Sequence, residues 1–107
     1  MSTVPNALID RAKIKAAVKR VEKALAPDVV YILYSLTVDW TGEESLFFRV
    51  LISDKASAPD RLGEATERIR ERLVREIKAD KLGLRTYFNF RSKSEQEALR
   101  EPFWERT

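Results

Sequence analysis

Carboxylates and guanidinium groups make up most of the reactive inventory of this 107-residue chain, which has 17 acidic and 20 basic residues but no histidine and no cysteine. The segment DWTGEES gathers Asp39, Glu43 and Glu44, and Asp54 follows the next apolar run. Oxygen-rich loops can hold magnesium or calcium. Two adjacent glutamates after one glycine do not match a calcium-loop spacing, so a solvated turn is expected. Glu76-Ile77-Lys78 is an E-x-K triplet, which some metal-dependent nucleases carry on a strand beside an aspartate; here it falls within a helical pattern and reads as coincidence. The absence of histidine removes the commonest general base and metal ligand, and the absence of cysteine removes thiolate chemistry and disulfides. Gly42, Gly63 and Gly83 are too scattered for a phosphate loop. No catalytic residue, metal site or cofactor is expected, and the function to look for is binding.

The constellation that could bind is a set of aromatic and arginine side chains. Val29 to Ser53 reads VVYILYSLTVDWTGEESLFFRVLIS, two β-rich runs around a glycine-containing polar turn at Thr41-Gly42-Glu43-Glu44. This is a β-hairpin pattern. Side chains alternate across a strand. One face carries Val30, Ile32, Tyr34, Leu36, Val38 and Trp40 with Leu46, Phe48, Val50 and Ile52, and is the predicted core face. The other carries Tyr31, Leu33, Ser35, Thr37 and Asp39 with Phe47, Arg49 and Leu51, a mixture that is neither solvent face nor second core. A third strand, Leu84 to Arg91, splits the same way. Leu84, Thr86, Phe88 and Phe90 go to the core, whereas Arg85, Tyr87, Asn89 and Arg91 join the mixed face.

Helices must position this sheet. Ile14, Val18, Val21 and Leu25, extended by Ala7 and Ala17, recur at helical spacing between a start near Asn6 and a stop at Pro27. The outer surface of that helix carries Arg11, Lys13, Lys15, Lys19, Arg20 and Lys23, a solvated face first and a phosphate-tracking surface second. Ser57-Ala58-Pro59-Asp60 signals the start of a second helix, whose stripe is Leu62, Ala65, Ile69, Leu73 and Ile77 and which ends near Gly83. Ser94-Glu95-Gln96-Glu97 reads as a capping box opening a short helix before Pro102. Phe103 and Trp104 follow. The result is an α+β fold of order αββαβ(α): a three-stranded sheet with two helices on one face and the third strand parallel to the second.

The length predicts a single domain over residues 1–107. A hydrophobic fraction of 44% with 35% charged residues describes a globular chain. There is no apolar run long enough for a membrane span and no signal-peptide pattern, so a cytoplasmic location without membrane is expected. The net charge of +3 is uneven: residues 1–28 hold six basic and three acidic groups, residues 29–54 one basic and four acidic. So mild an excess permits nucleic-acid binding without arguing for it.

Tyr31, Phe47, Arg49, Arg85, Tyr87 and Arg91, helped by Phe103 and Trp104, are therefore the candidate contact residues. Such a face suits a protein partner or a second copy of the chain. Single-stranded RNA could also use it, rings stacking on bases and guanidinium groups meeting phosphates. A third reading has the C-terminal segment fold back and cover it.

The αββαβ order with a basic first helix resembles the KH-like fold of ribosome-binding factor A and the small cytoplasmic domain of cation-efflux transporters, in topology only. There is no GxxG loop to clamp RNA and no histidine or cysteine to sense metal. DVVYILYSLTVDWTGEESLFFRVLISDKAS (28–57) and LGLRTYFNFRSKSEQEAL (82–99) resemble an uncharacterised family of short bacterial proteins associated with HEPN-type proteins, many of them ribonuclease toxins. That resemblance implies a non-enzymatic partner or antitoxin-like subunit. The usual partner of such toxins is a nucleotidyltransferase with a Gly-Ser motif and paired aspartates. This sequence has neither, which speaks against neutralisation by nucleotide transfer and leaves neutralisation by contact.

Overall fold

The computed structural model describes residues 9–106. Its elements are α1 (Arg11–Ala24), β1 (Val29–Val38), β2 (Glu44–Ile52), α2 (Leu62–Ile77), β3 (Arg85–Ser92) and α3 (Lys93–Leu99), followed by a 3-10 turn at Pro102–Trp104. The sheet order is β1-β2-β3. β1 and β2 are antiparallel, and β2 and β3 are parallel. The expected α+β class and element order hold. No helix among the described residues is long and apolar enough to cross a membrane.

The register follows the apolar alternation. Tyr34 pairs with Phe48 and Phe48 with Phe88, while Ile32 pairs with Val50 and Val50 with Phe90. These side chains share the face that α1 and α2 cover. The buried cluster is built from Ile14, Val18 and Val21 of α1, Ala65, Ile69, Leu73 and Ile77 of α2, and Leu46, Phe48, Val50 and Ile52 of β2. Phe48 stacks on Phe88 at 5.0 Å between ring centroids, which ties the central strand to the edge strand.

Three core expectations fail at the hairpin ends. The pairing shifts between Val29 and Tyr31, a bulge that turns Val29 inward and leaves Val30 exposed. β1 ends at Val38, beyond the cover of the helices, and Val38 is 54% exposed. Trp40 lies in the turn rather than on the strand and is 79% exposed. The turn itself is a three-residue loop: the Asp39 amide donates to the Glu43 carbonyl at 2.9 Å and the Gly42 amide to the Asp39 carbonyl at 3.0 Å. Gly42 has φ +87, the left-handed conformation such a loop requires.

Helix ends also move from their expected places. The start expected at Asn6, and Ala7, lie outside the described residues; the Asp10 carboxylate caps α1 through the amides of Ala12 and Lys13. Ser57–Asp60 forms turns ahead of α2, whose first residue is Leu62. α2 stops at Ile77 because Lys78 takes φ +59, five residues before Gly83. The capping box of α3 uses Ser92, the last residue of β3, with Glu95, two residues earlier than the Ser94 expected. Ser94 instead bonds the Asp54 carboxylate through its amide, at 3.0 Å, and its hydroxyl. Those bonds hold the Asp54 carboxyl below its usual range.

Candidate interaction surface

The mixed face lies opposite the helices, and adjacent strands bring its residues side by side. Leu33 pairs with Arg49 and Arg49 with Asn89; Ser35 pairs with Phe47 and Phe47 with Tyr87; Leu51 pairs with Arg91. The chain after β3 then divides this face into a covered half and an open half.

The covered half is closed by residues 93–106. Trp104 is only 7% exposed, and its carbonyl accepts the Tyr31 hydroxyl at 2.5 Å. The Arg91 guanidinium lies 4.4 Å from the Trp104 ring centroid. It donates to Gln96 Oε1 at 2.9 Å and to Glu101 Oε1 at 3.1 Å. Gln96, itself buried, donates to the Glu101 carbonyl and to Glu105, each at 2.9 Å. Arg49 Nε donates to the Phe103 carbonyl at 2.9 Å while its guanidinium carbon sits 3.8 Å from the Phe103 ring centroid. Burial pushes the Arg49 pKa down and the Tyr31 pKa up, Glu105 adding to the rise at Tyr31 and Arg106 opposing it. Of the proposed contact residues, Tyr31, Arg49, Arg91 and Trp104 thus serve first to dock the chain's own C-terminal segment. The third of the sequence readings applies to this half.

The open half sits at the hairpin tip. Phe47 and Tyr87 stack at 4.9 Å with an 18° angle between ring planes. Trp40 leans on Tyr87 at 5.2 Å and 50°. Arg85 is exposed, and Phe103, 66% exposed, lies beyond Arg49. Phe47, Arg85, Tyr87 and Phe103 are therefore where the sequence places them, on an accessible surface, and Trp40 joins them. Trp40 departs from the strand alternation because β1 ends at Val38, two residues before it. Its sequence signal is the D-x-T-G-E turn, which takes Trp40 off the strand.

Asp39 fixes this tip. Its side chain is wholly buried. The carboxylate accepts from the Thr41 hydroxyl at 2.5 Å, the Thr41 amide at 2.8 Å, the Glu43 amide at 3.1 Å, the Ser45 hydroxyl at 3.3 Å and the Tyr87 hydroxyl at 2.8 Å. Arg85 approaches it at 4.0 Å. The Thr41 hydroxyl above all, with Tyr87 and the two amides, holds the Asp39 carboxyl well below the usual carboxylate range against the opposing effect of burial. This is a correction to the solvated turn expected from DWTGEES: Asp39 is an internal anchor whose lone pairs are occupied. Among the described residues no group of three or more His, Cys, Asp or Glu side chains could hold a metal ion. Glu76 pairs with Arg20 at 3.7 Å on the helical side, far in role from any Asp54 chemistry.

No family model matches the chain, and no curated protein or solved structure matches it either.

Proposed function

We propose that this chain is a non-enzymatic binding module that engages a protein partner through its hairpin tip, with Trp40 as the anchor, Phe47, Tyr87 and Arg85 around it, and Phe103 at the border with the covered half. The observation that carries this reading is the 79% exposure of Trp40 on a turn made rigid by the buried Asp39 carboxylate. A large ring held in place before binding loses little conformational freedom on binding. Tryptophan, tyrosine and arginine are the types that dominate interface energetics. The fitting partner offers an apolar pocket for the indole, with an acidic group near Arg85.

Protein is favoured over RNA on this face by the state of its groups. The Phe47 and Tyr87 rings turn their faces to each other, so the flat platform on which bases stack is partly used up. Arg49 and Arg91 are committed to the C-terminal segment, which leaves Arg85 alone of the three arginines on this face to meet phosphates. The resemblance to the HEPN-associated family makes a HEPN-type protein the first partner to test.

The test is capture from the native host and from co-expression with a HEPN-type protein, using wild type and Trp40→Ala side by side. One stoichiometric protein retained by wild type and lost with Trp40→Ala supports the proposal. A partner held equally by both, or RNA that leaves as salt rises, refutes it.

A further inference from the structure

The free edge of β1 points to a second interaction site, distinct from the hairpin tip. Backbone direction along β1 is fixed at two points. The Asp39 amide points to β2, where it meets the Glu43 carbonyl at 2.9 Å. The Ile32 amide points the other way, where Glu22 Oε2 accepts it at 2.9 Å. Strand alternation then sends the amides and carbonyls of Tyr34, Leu36 and Val38 outward, since their partners Phe48, Leu46 and Glu44 form the pairs that do not exchange hydrogen bonds. The Ile32 end of this edge is closed: Glu22 is itself clasped by Arg106, which bonds Glu22 Oε1 at 2.6 Å. The Tyr34–Val38 end has no hydrogen-bond partner among the described residues. This stretch, YSLTV, has no charge, no proline and no glycine, the devices that normally blunt an edge.

We propose that two copies of this chain pair antiparallel through this edge, Leu36 against its own counterpart and Tyr34 against Val38, to make one continuous sheet across a two-fold axis. The occupant is a second copy because the stretch is complementary to itself. Leu36 meets Leu36, the Tyr34 ring covers the half-exposed Val38, and on the other face Ser35 meets Thr37, with no like charges opposed. The other edge does not share this property. β3 paired about its centre would set Arg85 against Arg91 of the second copy. So short a pairing is smaller than a standard interface, so the association is expected to be concentration-dependent rather than permanent.

Sedimentation over a dilution series from about 1 to 500 µM tests this, with amide hydrogen exchange at both ends of the series. The expected result is a monomer–dimer transition in which the Tyr34, Leu36 and Val38 amides slow as the dimer forms. Val38→Lys places a charge on an exposed edge position and should weaken dimerisation at least tenfold with an unchanged circular dichroism spectrum. Leu36→Pro removes an outward N–H that β2 does not use and should do the same. Should the proline variant fail to fold, Val38→Lys decides alone. A wild type that stays monomeric throughout overturns the proposal, whether those amides are open or protected. So does a dimer that Val38→Lys leaves intact, or one whose formation leaves the Tyr34, Leu36 and Val38 amides unchanged.

Discussion

Replacing Trp104 with alanine should undock the C-terminal segment and open the covered half of the mixed face. A large aromatic buries about 150–250 Å², and Trp104, at 7% exposed, stands near the upper end. At roughly 25 cal/mol per Å², about 200 Å² is worth ~5 kcal/mol as an upper limit. The retained Cβ and a compact unfolded state reduce this to about 3 kcal/mol, the lower end of the range for tryptophan truncation. The cation–π contact with Arg91 adds about 0.5–1 kcal/mol. The loss has a ceiling, however. Once residues 93–106 detach, further damage to their contacts no longer affects the remaining fold, so the effect cannot exceed the docking free energy of the segment. The expectation is a fall of about 2–3 kcal/mol in urea unfolding followed by circular dichroism, with a cooperative transition preserved. Fluorescence gives an independent check, because the only two tryptophans sit in opposite environments. In Trp40→Phe, emission comes from Trp104 alone and should be blue-shifted and poorly quenched by iodide. In Trp104→Phe, it comes from Trp40 and should be red-shifted and readily quenched. A change under about 0.5 kcal/mol for Trp104→Ala, together with quenchable Trp104 emission, would refute the docked segment and return Tyr31, Arg49 and Arg91 to the set of free contact residues.

Other perturbations test the core, a backbone position and the tip. Phe48→Ala removes a fully buried ring stacked on Phe88 and should cost about 3–5 kcal/mol in the same unfolding assay. Lys78→Gly relieves a non-glycine residue at φ +59 and should stabilise by about 0.5–1 kcal/mol, visible as a raised melting temperature. The Asp39 carboxyl has a folded pKa below its unfolded value of about 3.9. The stability it contributes is therefore present above about pH 4 and lost as pH falls through the folded value. Asp39→Asn should destabilise at pH 7, and its deficit relative to wild type should shrink below pH ~3; an equal deficit at both ends of the titration would show that the carboxylate charge is irrelevant to the turn.

The fold was readable because two periodicities dominate it. A period of two assigns Ile32, Tyr34, Leu46, Phe48, Val50 and Phe88 to one face, and only one register keeps them together, which is the register observed. The helical stripes Ile14–Val18–Val21 and Ala65–Ile69–Leu73–Ile77 then have a single apolar surface to cover. Element ends were less readable, because several residues compete for each cap and distant contacts choose between them. Ser92 and Ser94 both suit the start of α3; Ser94 is taken by Asp54, forty residues away, and Ser92 is left to cap. The bulge after Val29 has no local signature at all, since either neighbouring valine serves equally well in the core.

The candidate site was legible as a composition but not as a geometry. Alternation places Tyr31, Phe47, Arg49, Arg85, Tyr87 and Arg91 on one face, and all six are there. Nothing in that pattern says which of them the chain uses for itself. The division follows from where the tail can reach. α3 begins directly after β3, at the end of the sheet that holds Leu51, Arg91 and Tyr31, so residues 93–106 return over that end first. Trp104 meets Arg91 and Tyr31 there, and Phe103 extends only as far as Arg49. The hairpin tip, at the opposite end of the same strands, lies beyond the segment's span. It keeps Trp40 exposed and Phe47 and Tyr87 half-buried, although covering them would bury further apolar surface. An indole 79% exposed, on a turn whose buried aspartate accepts from Thr41, Glu43, Ser45 and Tyr87, is a cost in the isolated chain that contact with a partner would remove. The two tryptophans of this chain thus have opposite fates, Trp104 buried by residues 93–106 and Trp40 held out on the turn where that segment does not reach.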